Sequence, residues 1–112
     1  MSPVPPNVSR YVVPESATLE DAMLQIEENT HRSVVVVDGD RVVGMLSDGD
    51  ARKAILDKRL LSTPVRDVMN VNFVSLTPDR LPEAGRVFAL PFIFLIPVVD
   101  AEMRLVDVLT AF

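Results

Sequence analysis

At 112 residues, 48% of them hydrophobic, the chain carries enough apolar material for one compact domain or two very small ones. Its 11 Lys and Arg stand against 16 Asp and Glu, and the resulting net charge of −5 disfavours a surface built to displace counterions from a nucleic-acid backbone. Zero cysteines remove disulfides, thiolate metal ligands and thiol nucleophiles together, and fit a cytoplasmic protein.

Met1 to Pro6 has neither a basic nor an apolar signal-peptide region, and residues 1 to 10 are expected to form an extended lead-in. Tyr11-Val12-Val13 is a short β-type run ended by Pro14. A helix should start at Thr18, because Thr18 and Asp21 have capping-box spacing and Leu19, Ala22, Met23 and Ile26 recur at helical intervals. Polar residues end it by Thr30. Ser33 to Val37 then contains four consecutive valines without polar alternation, the pattern of a strand buried on both faces.

Asp38-Gly39-Asp40 predicts a tight turn into a second strand, Val42 to Leu46, and hence an antiparallel hairpin. The hairpin ends at Ser47-Asp48-Gly49-Asp50, where a helix should begin with Ala51, Ile55 and Leu56 on its apolar face and fade near Leu61. Two readings of this start stand side by side. Ser47 and Asp50 fit a second capping box. Equally, unpaired N–H groups at a helix start suit a phosphate, and a nearby carboxylate suits the two hydroxyls of a ribose. Spacing does not choose between them.

Ser62-Thr63-Pro64 reads as a linker that opens a short helix, with Thr63 as N-cap and Val65, Val68 and Met69 inward. The pattern then starts again. Phe73 to Leu76 is β-type, Leu81 to Ala84 echoes Leu19 to Ala22, and Ile96 to Asp100 echoes Val34 to Asp38. Asp100 follows Asp38 by 62 residues and Thr110 follows Ser47 by 63, which a duplication with small loop differences explains. Asp107 takes the place of Gly44, and the second copy lacks the acid and helix that would follow Thr110. The expected fold is therefore mixed α/β (α+β): a βαββα unit over residues 11–61, a linker over 62–70, and a second unit over 71–112 without its last helix. The run from Val87 to Val99, broken by Pro91 and Pro97, is well short of the roughly 20 residues a membrane helix requires, so it reads as core or partner surface.

Other chemistries find little support. Neither Asp-Gly-Asp triplet continues into a complete calcium loop, and one histidine with no cysteine leaves no transition-metal set. His31 is the sole imidazole, and no Gly-x-Ser-x-Gly elbow presents a nucleophile, so no catalysis is expected.

Three stretches carry a family resemblance: Gly44-Met45-Leu46-Ser47-Asp48-Gly49-Asp50, Val65-Arg66-Asp67-Val68-Met69-Asn70, and Ile96-Pro97-Val98-Val99-Asp100. With the repeat, they resemble a tandem cystathionine-β-synthase (CBS) domain pair, or Bateman module, over nearly the whole chain. Ser47-Asp48-Gly49-Asp50 with Asp107 looks most like pairs that precede sugar-nucleotidyltransferase domains. The resemblance implies a regulatory module that binds AMP, ADP, ATP or S-adenosylmethionine between its units. It further implies a homodimer, a catalytic domain in a longer chain, no catalytic cofactor, and neither nucleic-acid nor membrane partners. By this analogy Asp50 accepts the ribose hydroxyls and Ser47 donates to a phosphate at the start of the Asp48-Gly49 turn. Arg52 or Lys53 helps neutralise that phosphate. The base lies on Leu95, Ile96 and Pro97, with backbone near Asn72 and Phe73 reading its edge. Many relatives have an aromatic near Leu95, and its absence is expected to weaken binding. A mirror-image second site, expected empty or weak, would use Tyr11, Val12, Arg32, Ser33 and Thr110, with His31 more plausible as polar surface than as a ligand. The rival expectation keeps the fold, binds nothing, and uses Ser47 and Asp50 only as a cap.

Overall fold

Residues 5–111 are described in a computed structural model of the chain. The first unit contains β1 (Val12–Pro14), α1 (Leu19–Asn29), β2 (Ser33–Asp38), β3 (Arg41–Ser47) and α2 (Asp48–Leu56). The second contains α3 (Ala84–Phe88), β4 (Leu95–Val99) and β5 (Leu105–Thr110). Strands β1, β2 and β3 form one sheet in that order, with β1 parallel and β3 antiparallel to β2, while β4 and β5 form an antiparallel pair.

The valine run of β2 holds the molecule together. Successive side chains of a strand point to opposite faces. Val34 and Val36 enter a core with Leu19, Ala22 and Ile26 of α1, Ala51 and Ala54 of α2, and Val65. Val35 and Val37 enter a second core with Val8, Leu95, Val99 and Leu105. All four are at most 4% exposed, and burying each contributes about 1.5–3 kcal/mol. One strand thus seals its own unit and joins it to the other.

The repeat is visible in hydrogen bonds. The Val42 N–H donates to the Met103 carbonyl and the Leu105 N–H donates to the Asp40 carbonyl, each at 2.8 Å, around an Arg41 and Arg104 bridge. Both hairpins shift register at matching places, between Val36 and Val37 and between Val98 and Val99. Ser33 pairs with Ser47 as Leu95 pairs with Thr110.

Several expectations require correction. The part of the lead-in that is described is not extended: Pro6–Tyr11 is a 3₁₀ helix, and Val8 is buried on the second core, which rewards the compact form. Residues 1–4 lie outside the described residues. The linker helix is a single 3₁₀ turn, Val65–Asp67, whose N-cap is Pro64 rather than Thr63. The Thr63 carbonyl instead accepts the Leu19 N–H at 2.8 Å, and Pro64 bridges to Thr18. Helix α2 buries Ala51 and Ala54 and turns Ile55 and Leu56 outward, ending at Leu56. Phe73 to Ser75 forms no strand, and only Leu76 pairs, parallel to Val98. The echo of α1 begins as a 3₁₀ helix, Pro78–Glu83, because Pro82 lacks an N–H and obstructs a continuous α-helix.

Candidate functional site

Two capping boxes of the same design open the two long helices. In α1, Thr18 Oγ1 accepts the Asp21 N–H and Asp21 Oδ2 accepts the Thr18 N–H, both at 3.1 Å. In α2, Ser47 Oγ accepts the Asp50 N–H at 3.1 Å, and Asp50 Oδ2 accepts the Ser47 N–H at 3.0 Å. The Ser47 hydroxyl also lies 2.9 Å from Asp50 Oδ2 and donates to it. The bland reading of the Ser-x-x-Asp spacing is therefore realised. Asp50 Oδ1 has no partner among the described residues.

The two helix starts differ in their surroundings. Ser47 and Asp50 border a cleft of about 280 Å³ whose opposite wall is the second unit: Asn72, Phe73, Val74, Pro91, Phe92, Ile93, Phe94 and Leu95. Met45, Asn70 and Ser33 complete the lining. This volume sits at the lower edge of the roughly 300–1,000 Å³ typical of small-molecule pockets. A second chamber of about 360 Å³ shares Ser47, Asp50, Phe92 and Phe94 and adds Arg32, Asp48, Gly49 and Arg52. One end of the combined cavity mixes the apolar Phe73, Val74, Ile93 and Leu95 with the polar Asn70 and Asn72, whereas the other carries two guanidinium groups at a helix start.

The linker shapes the mixed end. Asn70 pairs with Met45 at the outer edge of β3, with its N–H donating at 2.7 Å and its carbonyl accepting at 3.0 Å. Asn70 Oδ1 accepts the Asn72 N–H at 2.9 Å, so that N–H is not available to a base edge as expected. Phe73 and Val74 have no backbone hydrogen bonds among the described residues and offer such groups instead.

The polar end is shaped by a turn. Asn29, fully buried at the end of α1, donates to the Ser33 carbonyl at 3.0 Å and accepts the His31 N–H at 2.8 Å. Thr30 and Arg32 take left-handed φ values of 60° and 66° within this turn. Asn29 was expected only as part of a polar helix end, and the β-branched Thr30 that follows it in the left-handed region gives no sequence signal for the turn.

The remaining site expectations divide three ways. Asn72, Phe73 and Leu95 line the cleft with Ser47 and Asp50, while Asp48 and Gly49 line the adjoining chamber. Ile96 and Pro97 do not line it: both are buried in β4, and the Pro97 carbonyl accepts the Leu76 N–H. The preceding loop, with Phe92 and Phe94, lines the cavity there, so the expected absence of an aromatic beside Leu95 is also corrected. The proposed mirror-image group is split. Arg32 and Ser33 belong to the Ser47 cavity. Tyr11 packs edge-on to His31 at 5.5 Å, Val12 lines a groove beside α1, and Thr110 pairs with Leu95. His31 Nδ1 lies 2.6 Å from the Asn29 carbonyl, away from the cavity lining. Lys53 lines a different groove, with Asp57 and Arg59.

Among the described residues, no three His, Cys, Asp or Glu converge as a metal site, and no helix is long and apolar enough to cross a membrane. The geometry defines a duplicated α+β fold with an interunit cleft that can receive a flat ring at one end and an anion at the other. The chain belongs to the CBS-domain family, whose model, described as CBS domain, matches residues 1–57. The family model and the structural likenesses together make it a tandem CBS pair, and CBS domains are regulatory rather than catalytic modules.

Arabinose 5-phosphate isomerase GutQ of Escherichia coli is 33% identical over 92 residues, 80% of this chain but 29% of that protein's length. The chain thus spans under a third of this relative. CBSX2 in complex with AMP superposes with a TM-score of 0.72 at 26% identity, covering 89% of this chain and 80% of that one. The cytosolic domain of the Mg2+ channel MgtE in complex with ATP gives 0.70 at 29%, covering 90% and 42%.

Proposed function

We propose that the chain is a regulatory, ligand-sensing module that binds an adenine nucleotide or related ligand in the cleft between its CBS units. One observation carries this reading: Ser47 and Asp50 of the first unit face Phe73, Phe94 and Leu95 of the second across one cavity with a cationic annex. The AMP and ATP complexes of the two similar structures support the ligand class. In this reading Asp50 Oδ1 accepts from the ribose, the base lies among Phe73, Phe92 and Phe94, and the phosphate sits by Arg32. The chain performs no chemistry of its own and acts from the cytoplasm as a homodimer. Kinship with an arabinose 5-phosphate isomerase favours a sugar-phosphate enzyme as the regulated partner and replaces the sugar-nucleotidyltransferase association.

Calorimetric titration with AMP, ADP, ATP and S-adenosylmethionine tests the reading. Saturable binding of at least one, weakened about tenfold or more by Asp50→Ala, is expected. Absence of binding by all four to the folded chain overturns it. That outcome would favour the second reading, a structural and dimerisation module without a ligand. A specific observation supports this alternative: Ser47 and Asp50 already satisfy one another at the start of α2.

A further inference from the structure

One turn is built twice, and only the first copy is braced. Phe92 follows Thr30 by 62 positions, the spacing of the repeat, and both take a left-handed φ, 66° and 60°. In the first unit the Thr30 N–H donates to the Ile26 carbonyl at 3.1 Å, and buried Asn29 accepts the His31 N–H at 2.8 Å and donates to the Ser33 carbonyl at 3.0 Å. In the second, Pro91 stands where Asn29 does. A proline offers neither a side-chain amide nor an N–H, and it disfavours helix at the residue before it, so α3 stops at Phe88. Across residues 91–93 no backbone group has a hydrogen-bond partner among the described residues. The backbone is anchored on either side, where the Leu90 N–H donates to the Val87 carbonyl at 3.0 Å and the Phe94 carbonyl accepts the Ala111 N–H at 3.1 Å. Phe92 borders both chambers of the cavity and is 82% exposed, in a backbone conformation that bulky residues rarely adopt. Strained positions persist where their surroundings hold them, and here neither burial nor hydrogen bonding does.

We infer that residues 91–93 form a strap that closes over the cavity once a ligand has entered, carrying Phe92 from solvent onto the opening. The inference rests on the nucleotide reading above and adds to it an order of events: the wall supplied by the second unit is completed after binding, while the braced turn of the first unit stays fixed. Burying a phenylalanine that starts in water then contributes to affinity and slows escape of the ligand.

The test is amide hydrogen exchange followed by NMR, in the free chain and with AMP, ADP, ATP and S-adenosylmethionine in turn. In the free chain the Phe92 and Ile93 amides should exchange about tenfold or more faster than those of Thr30 and His31, once intrinsic rates are divided out. The tightest of the four compounds should slow the first pair about fivefold or more and leave the second pair within about twofold. Pro91→Asn, with a thermal melt to confirm folding, supplies the amide that braces the first unit. It should slow exchange at Phe92 and Ile93 in the free chain and slow ligand association about threefold or more, because closure becomes harder. Equal protection of the two turns in the free chain overturns the inference, as does saturable binding that leaves Phe92 and Ile93 exchanging as before. Pro91→Asn that slows exchange yet takes up ligand at the wild-type rate overturns it too. A chain that binds none of the four compounds refutes the nucleotide reading and the strap with it, whereas the other adverse outcomes refute the strap alone.

Discussion

Gly44 lies directly beneath Met69: a Cβ at Gly44 would come within 2.5 Å of the Met69 sulfur and 3.1 Å of the Asn70 carbonyl oxygen. Here the linker crosses β3, and a hydrogen in place of a side chain allows the approach. The repeat-related Asp107 is exposed, which is why that position tolerates an acid.

Gly44→Ala should therefore destabilise the chain by about 1–3 kcal/mol, the range for forcing extra volume into a packed contact. The Met69 side chain has room to adjust, but the Asn70 backbone moves only with Asn72 and Phe73. Urea denaturation would measure the stability loss, and any nucleotide affinity should fall with it. Unchanged stability would show that the crossing is looser than described.

The matching capping boxes allow stability and binding to be separated. Thr18→Ala and Ser47→Ala should each cost about 1 kcal/mol in chemical denaturation, since each removes one N-cap acceptor. Only Ser47→Ala should alter nucleotide binding, because Thr18 lies outside the described cavity. Equal effects of both on affinity would mean that Ser47 matters only as a cap.

Acid should loosen the second hairpin first. Asp100 Oδ1 accepts the Glu102 and Arg104 N–H groups, each at 2.9 Å, and Oδ2 accepts from Arg104 Nε at 2.8 Å. These bonds, the Arg104 backbone contribution largest, hold the carboxyl below its ordinary range. Because the folded-state value is depressed, the contribution is present above the unfolded carboxylate pKa and is lost as pH falls through the folded one. Melting temperature should drop below about pH 4, and Asp100→Asn should flatten part of that drop. An unchanged acid limb in the variant would exclude Asp100 as a source.

Leu24, Leu56 and Leu60 are 64%, 72% and 72% exposed on α1, at the end of α2 and just beyond it. Where such side chains form one contiguous patch, the patch suits a molecule that covers it. If that molecule is a second copy, sedimentation should report a dimer, and Leu56→Glu with Leu60→Glu should produce a monomer with near-native stability. A wild-type monomer across the micromolar range would refute the dimer.

What could be read from the sequence was what short spacings control. Thr18 and Asp21, Ser47 and Asp50, and the Asp38-Gly39-Asp40 turn each specify structure within four residues, and each forms as expected. The double-sided burial of β2 was legible because it needs only an unbroken apolar run. Placement across the cavity was not. Arg32 precedes β2 and Ser33 opens it, and their placement depends on Asn29 and, for Arg32, on Phe94, 62 residues away. Ile96 and Pro97 carry the family-like pattern, yet their burial follows from pairing with Leu76 and β5, which sequence distance concealed. The strand expected at Phe73 to Ser75 failed for the same reason, as β propensity does not supply a partner.

Because Val34 and Val36 face one way from β2 while Val35 and Val37 face the other, neither half owns a complete interior. Cutting the chain between the units would leave each fragment with a bare valine or leucine row and no lid for it. The duplicated halves should consequently melt in one step, and a ligand wedged between them would tighten a joint that already governs the survival of both.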